Sequence, residues 1–205
     1  RSTLFPYTTL FRSIIDGSDA AEGGENMLDV ILRDERQRRT EELLTLVRAL
    51  RTGHFRLTSG LHSDRYMQCA ALFEHPVASE ELCASIADMF RGGRVDVVAG
   101  PALGGVILAY EVARSLGVRN IFAERENGKM TFRRGFHVNP GERVLVVEDV
   151  VTTGGSVREV IELLRETGAE VAGVGAVVDR SGGSVDFGVL DNRSEERRVG
   201  KECRS

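Results

Sequence analysis

Apolar residues in this chain gather into short runs, separated by stretches in which they recur at helical spacing. Residues 95–99, 120–123, 144–147 and 171–178 are runs of the first kind. Strands of a parallel sheet, buried on both faces, have this pattern. Between them, residues 76–90, the stretch from Gly105 to about Leu116, and residues 155–167 carry helical periodicity. Pro76 stands near the start of the first of these helices and Gly92-Gly93 just past its end, as the helix-end preferences require. Leu43, Leu44, Val47 and Leu50 give residues 28–50 helical spacing too, which predicts one or two helices ending near Gly53. Residues 54–63 predict a short strand and a turn, and residues 65–69 a second strand. Residues 125–139 break the rhythm as a polar, basic excursion. Strand–helix–strand alternation predicts an α/β fold, a mostly parallel twisted sheet with helices on both faces.

Composition narrows the class. The chain has 205 residues, 41% of them hydrophobic and 28% charged, enough for one domain with a sizeable core. A net charge of −4 argues against a general affinity for nucleic acid. No apolar run reaches membrane-spanning length, and Pro6, Thr8 and Thr9 interrupt any secretory signal. Cys69, Cys83 and Cys203 form neither a Cys-x-x-Cys pair nor a metal-type cluster, so free thiols in a reducing cytoplasm are expected. Residues 1–26 read as a foreign or disordered lead-in and residues 193–205 as a foreign-looking tail. Each of the stretches 1–13 and 194–205 ends in Arg-Ser, as translated adaptor sequence does. One domain over residues 27–192, cut short at its C-terminus, is the expectation.

The strongest chemical signal follows the third apolar run. Val147 is succeeded by Glu148 and Asp149, then by Val150, Val151, Thr152, Thr153, Gly154, Gly155 and Ser156, where a helix begins. Two carboxylates at the carboxyl end of a parallel strand sit where open α/β sheets bind ligands. Small residues at a helix start offer free N–H groups to a phosphate. Carboxylates for sugar hydroxyls beside a phosphate nest describe a site for a phosphorylated sugar. A Walker-type loop is absent, and the glycines at Gly173 and Gly175 lack the third glycine of a dinucleotide fingerprint. The structural alternative, a solvated acidic loop, does not account for carboxylates abutting an apolar strand and a Gly-Gly turn.

The run Glu148 to Ser156 resembles the phosphoribosyl diphosphate (PRPP) motif of type I phosphoribosyltransferases. Four further segments, in order, are similar to orotate phosphoribosyltransferases: residues 53–66, residues 100–105 (Gly-Pro-Ala-Leu-Gly-Gly), residues 122–126 with 133–136, and residues 178–181. The resemblance spans nearly all of residues 27–191. It implies the type I phosphoribosyltransferase fold, with a small N-terminal hood over the sheet. It also implies Mg²⁺-dependent transfer of the phosphoribosyl group from PRPP to N1 of orotate, giving orotidine 5′-monophosphate and diphosphate. The metal would be carried mainly by the diphosphate, with no direct protein ligand.

Roles follow residue by residue from the same resemblance. Glu148 through Ser156, Val150 and Val151 included, bind PRPP, with Thr152 also against orotate. Gly104 and Gly105 belong to a diphosphate loop. Many relatives carry a lysine at the position of Gly104, so here backbone amides or another cation must serve. Arg125 and Lys129 are the candidate cations closing over the leaving group, shared across a homodimer, and Asp149 joins them as a catalytic candidate. Arg133 and Arg134 read equally as loop cations or as a structural ion-pair site, and His137 as structural. Arg180 would capture the orotate carboxylate, against the alternative of an Asp179–Arg180 surface pair. Tyr66 would stack on the base, with residues 58–60 nearby; lysine is common where Thr58 stands and an aromatic where Met67 stands. Two competing readings remain: a phosphoribosyltransferase for another nucleobase, and a PRPP-sensing regulator on the same fold.

Overall fold

The structure, a computed structural model, describes residues 27–56, 60, 62–181 and 184–187. The expected lead-in and tail lie outside them, as do Thr58, Ser59 and Cys203. The first helix, α1, spans Met27–Leu46 and ends where Arg48 takes a left-handed φ of 59°. That turn starts a strand instead of a second helix, correcting the expectation that helix continues to Gly53. Strands β1 (Leu50–Arg56) and β2 (His62–Met67) pair antiparallel into a two-stranded sheet, the predicted hood. A 3-10 turn (Cys69–Glu74) leads to α2 (Pro76–Phe90), whose bounds match the periodicity.

The remainder builds the main sheet: β3 (Val97–Pro101), α3 (Gly104–Leu116), β4 (Arg119–Glu126), β5 (Lys129–Phe132), β6 (Arg143–Val151), α4 (Gly155–Glu166) and β7 (Glu170–Asp179). Strand order is β5-β4-β3-β6-β7, parallel apart from the edge strand β5. Two departures from the sequence reading matter. The basic excursion contains a β4–β5 hairpin. The motif strand does not stop at Val147 but runs to Val151, with Glu148, Val150 and Val151 paired to β7.

Alternating side chains divide the core. Val98, Leu145, Val147 and Val177 pack with α2 and α3. Val97, Ala99, Val144, Val146, Val174 and Ala176 pack with α4 on the other face. All five residues of β3 are buried, as the centre of a sheet covered on both sides must be. Truncating the fully buried Leu145 to alanine would cost about 2–5 kcal/mol.

Topology places the site. From β3 the chain crosses to β4 on one side, and from β6 to β7 on the other. The β3–β6 boundary is therefore a switch point, where a crevice opens beyond the strand ends. Pairing between β3 and β6 ends at Ala99 and Val146, and beyond it the two chains part around that crevice.

Candidate functional site

Four strand ends meet at this edge. Gly104 and Gly105 open α3 just beyond β3, the end of β4 carries Arg125, β6 carries Glu148 and Asp149, and β7 leads into Arg180. The sheet thus brings the predicted segments together, though it holds their side chains in different ways.

Asp149 reaches from β6 to the start of α3. Its Oδ1 accepts the Val150 amide at 2.8 Å, and its carboxylate fills the space that a Cβ on Gly104 would need. That gives the departure at Gly104 a physical reason: no side chain fits there while Asp149 keeps this position. Glu148 is only 9% exposed. Burial, and then the neighbouring Asp149 carboxyl, push its pKa up to about 8. The pair therefore holds a proton near neutrality. Both carboxyls can accept sugar hydroxyls, and the surplus proton gives Glu148 a donor as well.

Cys69 connects the hood to this pair. Its Sγ points at the Asp149 carbonyl at 3.8 Å, and burial raises its pKa further above the thiol range, with Asp149 and Glu148 adding to the effect. It is an inert, protonated thiol that anchors the end of β2 beside the crevice. Tyr66, three residues earlier, is 38% exposed, lies tilted against Phe55 with ring centroids 5.5 Å apart and donates to Gln68. The sequence offered no signal for the Cys69 contact, because a lone cysteine names no partner.

Beyond β6, Thr152, Thr153 and Gly155 are exposed while Gly154 is buried, with a left-handed φ of 73°. Gly154 is the N-cap of α4 and supplies no side-chain cap, which leaves the first amides of the helix to a ligand. Behind the turn, Arg158 donates to the Thr153 carbonyl at 2.7 Å and to the Asp186 carbonyl at 3.4 Å. Nothing in the sequence pattern set Arg158 apart from other exposed helix charges.

The basic excursion separates into engaged and unengaged cations. Arg125 grips Glu159 of α4 through two 2.7 Å hydrogen bonds and also donates to the Gly128 carbonyl. Arg134 pairs with Glu124 at 3.1 Å and lies 5.8 Å over the Phe122 ring. Arg133 reaches Glu126 at 3.3 Å and Glu124 at 3.7 Å. For these two arginines the ion-pair reading is the one the geometry favours. Lys129, exposed at the start of β5, forms no ion pair among the described residues. His137 contacts the Gly135 carbonyl at 3.3 Å, in a local turn.

Arg180 is exposed, and its amide donates to the Val151 carbonyl at 2.7 Å, tying the end of β7 to the motif. Its charge acts on Cys69 together with those of Glu148 and Asp149, which puts all four in one neighbourhood. Asp179 is 1% exposed and accepts the Ser181 amide at 2.7 Å, so it is not the surface acid that the alternative reading required.

Comparison with known proteins agrees with this geometry. The phosphoribosyl transferase domain family matches residues 70–186. An orotate phosphoribosyltransferase of Pelotomaculum thermopropionicum is 64% identical over 141 residues, covering 69% of this chain and 74% of the relative. That of Thermotoga maritima is 60% identical over 149 residues, covering 73% and 80%. Among solved structures, the orotate phosphoribosyltransferase of Mycobacterium tuberculosis in complex with inorganic phosphate is 29% identical, with a TM-score of 0.55 over 69% of this chain and 83% of its own. An adenine phosphoribosyltransferase from Saccharomyces cerevisiae, 17% identical, has a TM-score of 0.59 over 75% and 98%, which is a likeness of fold. Identity at this level, joined to a switch-point crevice carrying the two carboxylates and the uncapped helix, makes the chain a member of the orotate phosphoribosyltransferase family.

Proposed function

We propose that this chain transfers the phosphoribosyl group of PRPP to N1 of orotate, producing orotidine 5′-monophosphate and diphosphate. The observation that carries the reading is Asp149, set at the β3–β6 switch point between two amide-bearing turns. Thr152 to Ser156 and the start of α4 hold the 5′-phosphate. Glu148 and Asp149 bind the ribose 2′- and 3′-hydroxyls, with Val150 and Val151 keeping the motif registered against β7. Amides around Gly104 and Gly105 face the diphosphate. As the glycosidic bond breaks, positive character develops at C1′ and negative charge on the diphosphate. Fixed donors and a closing cation then lower the barrier by position and electrostatics. Lys129 is the cation that can move to the leaving group without breaking an ion pair; Arg125 must first leave Glu159. Arg180 forks onto the orotate carboxylate, with Thr152 beside the base and Tyr66 covering it.

Mg²⁺ supplies charge neutralisation on the diphosphate when bound. The donor set suits a metal carried by the substrate. Glu148 is held protonated and is a poor ligand, and no group of three or more His, Cys, Asp or Glu side chains suited to a metal occurs among the described residues. A homodimer that shares the β4–β5 loop, in the cytoplasm, completes the proposal.

Loss of orotate absorbance with PRPP and Mg²⁺ tests it, with uracil and hypoxanthine as competing bases. Turnover of orotate alone is expected. Turnover of another base without orotate would overturn the substrate assignment, and PRPP binding without any turnover would favour the regulator.

A further inference from the structure

We infer that Arg158 is a positioning residue for the 5′-phosphate cradle, clamping the Thr153–Gly154 peptide from behind so that its amide faces the ligand. The inference rests on the proposed assignment of Thr152 to Ser156 to that phosphate.

A trans peptide carries its C=O and N–H on opposite sides. The Thr153–Gly154 bond is trans, and its carbonyl is held at 2.7 Å by the Arg158 guanidinium. The Gly154 N–H must then point away from the Arg158 guanidinium. The Gly154 carbonyl is separately fixed as acceptor of the Arg158 amide at 3.0 Å. One residue thus restrains the peptides on both sides of the glycine, through its side chain and its backbone.

Residues 184–187 supply the backing. A Cβ on Gly154 would meet Val185 Cγ1 at 2.7 Å and Phe187 Cε1 at 2.9 Å, and both side chains are buried. The Arg158 guanidinium lies 5.6 Å over the Phe187 ring and reaches the Asp186 carbonyl. Stacked on an aromatic ring, the planar group keeps its orientation while its several donors serve two carbonyls, which an ammonium does not reproduce. The segment following β7 and the turn following β6 are therefore closed into one unit through this side chain. Without it, the turn keeps its sequence but loses the restraint on amide direction, and an anion cradle depends on amides converging before the anion arrives.

Arg158→Ala and Arg158→Lys in the full chain test the inference. The readouts are KM for PRPP, kcat, calorimetric binding of ribose 5-phosphate, and thermal midpoint. For Arg158→Ala we expect KM for PRPP and the ribose 5-phosphate Kd to rise about tenfold or more, kcat to stay within about threefold, and KM for orotate to hold. Arg158→Lys should fall between alanine and wild type and, should the alanine variant not fold, it carries the test alone. A variant with wild-type KM and Kd overturns the inference. So does a loss confined to kcat and thermal midpoint, which marks a structural role only. A lysine variant indistinguishable from wild type overturns it too, because positive charge alone would then suffice. Wild-type protein that binds no ribose 5-phosphate would instead remove the underlying phosphate assignment, and the inference with it.

Discussion

The end of β6 and the β4–β5 hairpin both reach the carboxyl edge of the sheet, and both carry ionisable groups, yet they keep them in opposite states. At β6 the Glu148 and Asp149 carboxyls lie against each other, Asp149 accepts the Val150 amide, and neither carboxyl forms an ion pair within the described residues. On the hairpin, Arg125, Arg133 and Arg134 are each occupied by Glu159, Glu124 or Glu126, and only Lys129 forms no ion pair there among the described residues. Charge held in reserve for a ligand is charge the protein has not already neutralised. By that criterion Asp149 and Lys129 are the charges open to the proposed chemistry, while Arg133 and Arg134 shape the hairpin that carries Lys129.

The carboxylates should matter most. Asp149→Asn keeps the shape but weakens the acceptor for a ribose hydroxyl in a preorganised site, and kcat/KM for PRPP is expected to drop about 10²-fold or more. Arg180→Ala should reduce orotate use by a similar factor while leaving PRPP binding nearly intact. Equal losses of both substrates in either variant would erase the division between a ribose-holding strand and a base-holding strand.

On the hairpin, Lys129→Ala is expected to lower kcat about 10²-fold, while Arg133→Ala and Arg134→Ala stay within a few-fold and act through stability. Exposed pairs of that kind contribute little. Arg125 is the borderline case. If it serves only to hold Glu159, then Arg125→Ala, Glu159→Ala and the double variant will show the same steady-state rates. A larger loss in Arg125→Ala than in Glu159→Ala would return it to the reaction.

The same contrast explains what could be read in advance. The β6 motif is contiguous: strand pattern, carboxylates, Gly-Gly turn and helix follow within one stretch, so local signals sufficed for it and for α2, α3 and α4. Engagement of the hairpin cations depends on partners brought near by folding, such as Glu159 on α4 for Arg125. Residues 129–132 are too few to show strand alternation, hence an excursion where the fold has β5. Leu50 continues the helical spacing of Leu43 and Val47, but the left-handed turn at Arg48 moves it into a strand. The extra length of β6 was hidden because Glu148 and Asp149 break the apolar run even though their backbone stays in the ladder.

Gly104→Ala probes the crevice with a smaller perturbation. The new methyl displaces the Asp149 carboxylate, so KM for PRPP should rise roughly tenfold, about 1.4 kcal/mol, with little effect on orotate. An unchanged KM would mean that Asp149 leaves this position when PRPP binds and has no need of the space.

A pH profile tests whether the β6 pair really stores a proton. The pKa of Glu148 rises from 4.5 to about 8 on folding, by burial first and Asp149 second. In the interval between those values the folded chain keeps a proton that the unfolded chain has lost. Stability from this group is therefore full below the lower value and declines as pH rises toward the upper one. The slope is at most about 1.4 kcal/mol per pH unit, a few degrees in thermal midpoint for a chain of this size. Glu148→Gln, neutral at every pH, should flatten that part of the profile in the unliganded protein. It should leave the contribution of the exposed hairpin pairs unchanged, because their pairing does not pass through Glu148. Parallel profiles for the two proteins would show Glu148 to be ionised throughout, and the contrast between a protonated carboxyl pair and a neutralised hairpin would then fail at its first half.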